Sequence, residues 1–170
     1  MWGIVGNKTH WLGAQTISPG KARMLTGNYF NTVDSKGRVP IPTKLRYGLS
    51  ERVWLVKGLD PCLYVFTPGG WEEYTRAYIT GHSLDDPNAR LLKRFVLSNS
   101  REIDVDANGR INIPGDFLEY AGIEKDTVFV GMGDMAEIWS RARYEEGMDP
   151  KKIDPSGLLR AVTAAERGDA

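Results

Sequence analysis

Two acid–base pairs recur at one spacing in this 170-residue chain: Asp34 with Arg38, and Asp106 with Arg110, each with a glycine (Gly37, Gly109) just before the arginine. Two chemistries fit such a pattern. Aspartates related by a two-fold axis can share a proton and act as a catalytic dyad. The arginine beside each carboxylate opposes this by favouring the ionised form, and the Asp-Thr/Ser-Gly order of the aspartic proteases is broken by Lys36 and Asn108. The alternative is recognition. A guanidinium oriented by a turn aspartate becomes a planar fork for guanine O6 and N7, or for phosphate oxygens. Asp34, Gly37, Asp106 and Gly109 are then the residues that make and orient the turns.

Other reactive chemistry finds little support. The single cysteine, Cys62, lies in the apolar run LDPCLYVF and reads as a packed thiol, while His10 and His82 are isolated, so no metal site is expected. Gly6-Asn-Lys-Thr9 lacks the first glycine and the preceding strand of a phosphate loop. The chain reads as a non-enzyme with no catalytic residue, no cofactor and no small-molecule substrate.

The acid–base pairs belong to a longer internal repeat. Asn31–Pro42 recurs as Ile103–Pro114, with Val33, Asp34, Gly37, Arg38, Ile41 and Pro42 meeting identical residues 72 positions later. The likeness continues through Trp54-Leu-Val-Lys-Gly and Val128-Phe-Val-Gly-Met, and through Trp71-Glu-Glu and Tyr144-Glu-Glu. In each unit a short strand enters Asp-x-x-Gly, where the carboxylate accepts backbone amides and glycine supplies a positive φ, so the chain reverses. An alternating strand follows. The next proline opens a short helix, with Leu45 and Leu49, or Phe117 and Ala121, on one face. Val53–Val56 and Leu63–Phe66 then flank a turn and predict a hairpin, and a short helix begins near Trp71.

This organisation gives a first unit over 24–76, a linking helical segment over 77–100 and a second unit over 101–149. The link has its helix start at Asp86-Pro87 and an apolar stripe of Leu91, Leu92, Phe95 and Val96. Residues 1–23 show neither a period of 2 nor of 3.6 and predict a disordered extension, with Met24 as the natural start. Residues 150–170 predict a flexible tail in which Gly157–Glu166 can form a frayed helix. One unit is too small to bury a core alone, so the two are expected to interleave their hairpins about a pseudo-two-fold axis into one small barrel. The fold class is mainly β with short helices.

Charge sharpens the functional reading. The chain carries 22 basic and 22 acidic residues, with a hydrophobic fraction of 41% and no apolar run of membrane-spanning length. Between Ser35 and Leu49, however, Lys36, Arg38, Lys44 and Arg46 occur without an acid, whereas between Ala107 and Tyr120 Arg110 faces Asp116 and Glu119. The first unit therefore carries a local cationic patch, in which Lys36, Lys44 and Arg46 suit the attraction of phosphates. The Asp106–Arg110 pair is expected mainly to lock its own turn.

The paired Asp-x-x-Gly-Arg-hydrophobic-x-Ile-Pro motifs, the start Met24-Leu-Thr-Gly-Asn-Tyr-Phe and the linker Arg90-Leu-Leu-Lys-Arg-Phe resemble the MraZ family, within the AbrB-like superfamily of swapped-hairpin transcription factors. The resemblance covers about 24–149. It implies a double AbrB-type swapped-hairpin barrel and self-assembly into a homo-oligomeric ring. It also implies a cytoplasmic, nucleoid-associated location and binding of double-stranded DNA at directly repeated operators upstream of the division and cell-wall gene cluster. At matching positions the resemblance places DNA contact at Lys36, Arg38 and Arg110, with Asp34 and Asp106 beside them. A structural or antitoxin-type interaction module is the competing reading, because a fold does not dictate function.

Overall fold

A computed structural model of the chain describes residues 24–167; the expectations of a disordered extension over 1–23 and of Met24 as the start lie outside them. In the first repeat, β1 (Asn28–Thr32) leads through the Asp34–Gly37 turn into β2 (Arg38–Pro40) and α1 (Thr43–Arg46). The β3 (Arg52–Lys57) and β4 (Leu63–Phe66) hairpin follows. α2 (Pro68–Tyr74) starts earlier than the sequence reading placed it, because the Thr67 hydroxyl caps it by accepting from the Gly70 amide and Pro68 occupies the first turn. A π-helical turn, Thr75–Thr80, continues from it, and the linking helix α3 (Pro87–Ser98) is capped by the Asp86 side chain. Ala89, Leu92, Phe95 and Val96 of α3 pack inward, whereas Leu91 lies one step beyond that arc and stays 61% exposed.

The second repeat reproduces the order with β5 (Ser100–Asp104), β6 (Arg110–Asn112), α4 (Gly115–Ala121), β7 (Asp126–Gly131) and β8 (Ala136–Ser140). α5 (Arg141–Gly147) closes it, and α6 (Pro155–Arg167) forms a full helix with no buried residue where a flexible tail was expected.

The strands form a six-stranded antiparallel sheet in the order β1-β7-β8-β4-β3-β5, and a separate two-stranded ribbon, β2-β6. The order shows an exchange between repeats. β1 pairs with β7 and β5 with β3, while the two hairpins meet through β4 and β8. Because the sheet retains two edges, β1 and β5, it is not a closed hydrogen-bonded barrel, which corrects the simplest form of the sequence expectation.

The central place of β4 explains why all four of its residues are buried. The main core draws on both repeats at once: Val39, Ile41, Leu45, Val53 and Leu55 join Ile111, Ile113, Phe117, Phe129 and Ile138. Truncating a ring as enclosed as Phe117 costs about 3–5 kcal/mol. A second cluster, with Cys62, Phe66, Trp71, Ile79 and Val96, seats the helical link on β4; the Cys62 thiol is fully buried and its ionisation is pushed up by desolvation, as expected of a packed cysteine.

One acid sits inside the sheet. Glu137 is 9% exposed, accepts from the Trp139 indole N–H at 2.7 Å, and has its carboxyl pKa raised by burial. The native state therefore holds this proton more tightly than the unfolded chain does, so stability falls as pH rises from the ordinary glutamate range through the raised value. Glu137→Gln keeps an acceptor for Trp139 and removes that loss. Its melting temperature at neutral pH is expected to exceed that of the natural chain, with the two converging in acid; a lower neutral value would show that the carboxylate is stabilising.

Candidate nucleic-acid interface

Each Asp-x-x-Gly segment closes on itself in the same way. Asp34 Oδ1 accepts the Lys36 and Arg38 amides, both at 2.9 Å, and Oδ2 takes Arg38 Nε at 2.8 Å and Nη2 at 2.7 Å. Asp106 Oδ1 accepts the Asn108 and Arg110 amides at 2.9 Å, and Oδ2 takes Arg110 Nε at 2.8 Å. Gly37 and Gly109 have φ of 79° and 71°, the left-handed conformation that side chains resist. The Arg38 hydrogen bond is the main cause that brings the Asp34 carboxyl down to about 2, and the Arg110 amide is foremost in lowering Asp106.

Neither guanidinium is sunk. The side chains of Arg38 and Arg110 are 35% and 30% exposed. Because the carboxylate holds the Nε side of the fork, the outer N–H edge remains for a ligand.

The β2-β6 ribbon brings the two arginines together. Arg38 stands opposite Asn112, Val39 opposite Ile111 and Pro40 opposite Arg110. Val39 and Ile111 are fully buried. By strand alternation Arg38, Pro40, Arg110 and Asn112 therefore share the other face, with the arginines on the diagonal, about 7–8 Å apart. Reciprocal bonds fix the ribbon: the Ile113 amide donates to the Gly37 carbonyl at 2.8 Å, and the Ile41 amide to the Gly109 carbonyl at 2.9 Å.

The remaining sequence-predicted cations divide. Lys36 is exposed in the first turn, and Lys44 is exposed on α1, the helix whose Arg46 reaches the second turn. Arg46 is instead turned inward. Its Nη2 donates to the Ile41 carbonyl at 2.9 Å, its Nε is buried with no partner among the described residues, and its guanidinium covers Gly109 so closely that a Cβ there would fall 2.1 Å from Cζ. Leu118, 72 positions later, is the repeat counterpart of Arg46 and lies over Gly37. Arg46 thus occupies a packing position and supports the second turn from below.

Sequence reasoning missed two groups because they come from the other repeat. The Val33 amide donates to the Lys125 carbonyl and the Val105 amide to the Glu51 carbonyl, both at 2.8 Å, so matching places beside the two turns carry residues of opposite charge. Asn112, across the ribbon, is the second. The cleft beside the second turn is mixed in charge: Glu51, Asp104 and Asp106 line it together with Arg46 and Arg52, and Arg52 Nε holds Asp104 at 2.9 Å. Asp116, counted as an opposing charge in the sequence, is occupied by Lys57 at 3.3 Å and Arg101 at 3.6 Å.

The family model described as "MraZ protein, putative antitoxin-like" matches residues 24–95 and again 96–154. The chain belongs to the MraZ family. Among its relatives, a protein of Caldanaerobacter subterraneus subsp. tengcongensis is 45% identical over 123 residues, covering 72% of this chain and 85% of the relative. One from Acetivibrio thermocellus is 39% identical over 122 residues, with the same coverage. A third, from Treponema denticola, is 34% identical over 139 residues, 81% of this chain and 96% of the relative. All three carry the name Transcriptional regulator MraZ. The boundary between the two MraZ segments falls inside the linking helix α3, and α6 lies beyond the matched residues. Among the described residues no helix is long and apolar enough to cross a membrane, and no cluster of histidine, cysteine and carboxylate side chains could hold a metal ion.

The Asp34 clamp makes a pH prediction. A carboxyl held below its unfolded value contributes stability that is complete above the ordinary aspartate range and is lost as pH falls through about 2. Carbon-detected NMR titration is expected to find Asp34 near 2, and Arg38→Ala to return it towards 3.8. An Asp34 that titrates normally in the natural chain would mean that the clamp is open in solution.

Proposed function

We propose that this MraZ-family chain is a sequence-specific, DNA-binding transcriptional regulator. In this reading it acts on directly repeated operators upstream of the division and cell-wall gene cluster, as a homo-oligomeric ring in the nucleoid region of the cytoplasm. The observation that carries the proposal is the β2-β6 ribbon, whose outer face presents two carboxylate-clamped guanidinium groups. A two-stranded ribbon fits the major groove, and an oriented arginine fork suits guanine there. The names of the relatives agree with a regulator, and the exchange of β1 and β5 between repeats agrees with the swapped-hairpin architecture of AbrB-like factors.

Within the proposal the residues take different tasks. Arg38 reads a base, held by Asp34 and the Gly37 turn. Lys36 and Lys44, with Lys125 contributed by the second repeat, attract phosphates without regard to sequence. Arg110, held by Asp106 and Gly109, is the weaker contact, because Glu51 stands beside its turn where Lys125 stands beside the first. Arg46 acts indirectly by supporting that turn.

Salt-titrated binding to the DNA just upstream of the gene tests the reading. Arg38→Ala is expected to leave the fold intact and weaken specific binding by about 1–3 kcal/mol, with Arg110→Ala costing less. Lys36→Ala is expected to weaken specific and random DNA alike and to flatten the salt dependence by about one unit of slope. Arg38→Ala with undiminished affinity would remove the proposed function and favour an interaction module.

A further inference from the structure

We propose that Asn112 is a second base-reading side chain, whose carboxamide takes an adenine in the base pair next to the guanine taken by Arg38. This rests on the DNA-binding reading above. The ribbon register sets Asn112 directly opposite Arg38, on the face away from buried Val39 and Ile111. Side chains so paired have Cβ atoms about 4.5–5.5 Å apart, close to the step of about 3.4 Å between successive nucleotides of one strand. Neighbouring base pairs are therefore within reach of the two groups.

The chemistry of Asn112 suits the position. Its carboxamide combines a donor and an acceptor, the complement of adenine N7 and N6–H in the major groove, whereas the Arg38 fork offers donors alone and suits guanine. Asn112 is exposed, and its Oδ1 lies over the first turn, 3.2 Å from where a Cβ on Gly37 would stand. Among the described residues its amide forms no hydrogen bond, in contrast to Asn28 and Asn99, whose amide groups are engaged.

The repeat supplies an internal comparison. The position equivalent to Asn112 is Pro40, which faces Arg110 and has neither donor nor acceptor on its side chain. The ribbon therefore carries an arginine–amide pair at one end and an arginine–proline pair at the other, and base discrimination concentrates at the Arg38 end. That end is also the one flanked by Lys36 and Lys125.

The experiment selects duplexes from a randomised pool with the natural chain, then measures binding of the selected sequence and its single-base variants by fluorescence anisotropy. Asn112→Ala, and Asn112→Leu of nearly the same size without hydrogen-bonding groups, are expected to lose about ten-fold in affinity for the selected duplex. They are also expected to lose the adenine preference beside the guanine, while random-DNA affinity, salt slope and melting temperature stay unchanged. If both variants keep that preference while Arg38→Ala loses the guanine, the Asn112 assignment is overturned and the regulator reading stands. A natural chain that selects no sequence overturns both.

Discussion

A single carboxylate in each repeat determines how the rest can assemble. Asp34 and Asp106 each satisfy two amides of their turn with one oxygen and hold a guanidinium with the other, so each turn is closed by its own residues, with no group borrowed from the other repeat. The closed turn leaves the glycine carbonyl pointing outward. It is this carbonyl that accepts the amide of Ile41 or Ile113 from the opposite repeat and fixes the ribbon. Local turn chemistry and long-range strand exchange are thus one construction, and the same arginines that stabilise it are the groups left on its outer face.

Duplication has supplied two equal frameworks, and substitution has made them unequal. Arg46 stands where Leu118 does in the other half, Pro40 where Asn112 does, and Glu51 where Lys125 does. Each change preserves backbone geometry, because the carbonyls and amides that pair across the axis are unaltered. What changes is the surface: lysine- and amide-bearing at the first turn, mixed in charge and with a proline in place of the amide at the second. The cost of the asymmetry is visible in Arg46 Nε, unpartnered among the described residues, a buried donor of a kind that folded chains seldom leave unsatisfied.

Much of this architecture was legible in the sequence because its determinants are local. Asp34-x-x-Gly37, the proline before each short helix and the Asp86-Pro87 start all act through neighbours within a few residues, and each appears where its chemistry requires it. The cross-repeat features were not legible. That Arg46 packs over Gly109 follows from where α1 lands once β2 has paired with β6, a register that no local pattern encodes. Asn112 and Lys125 escaped for the same reason, since they approach the first turn from more than seventy positions away in the chain. α6 was undervalued for the opposite cause: it is regular by its own backbone hydrogen bonding and buries no residue, so packing left no strong signal to find.

On the DNA-binding reading, the size of the ribbon also explains why one chain would not act alone. A good bidentate pair discriminates by about 1–3 kcal/mol, and the first turn offers one arginine and one amide. Specific DNA binding exceeds random binding by about 4–10 kcal/mol in typical regulators. Two such contacts supply about 2–6 kcal/mol, which reaches only the lower part of that range. Several linked copies on repeated sites multiply both the contacts and the effective concentration of each ribbon at its neighbouring site. On that reading, repetition of the chain and of the DNA is what would make a small, conformationally fixed reading element selective.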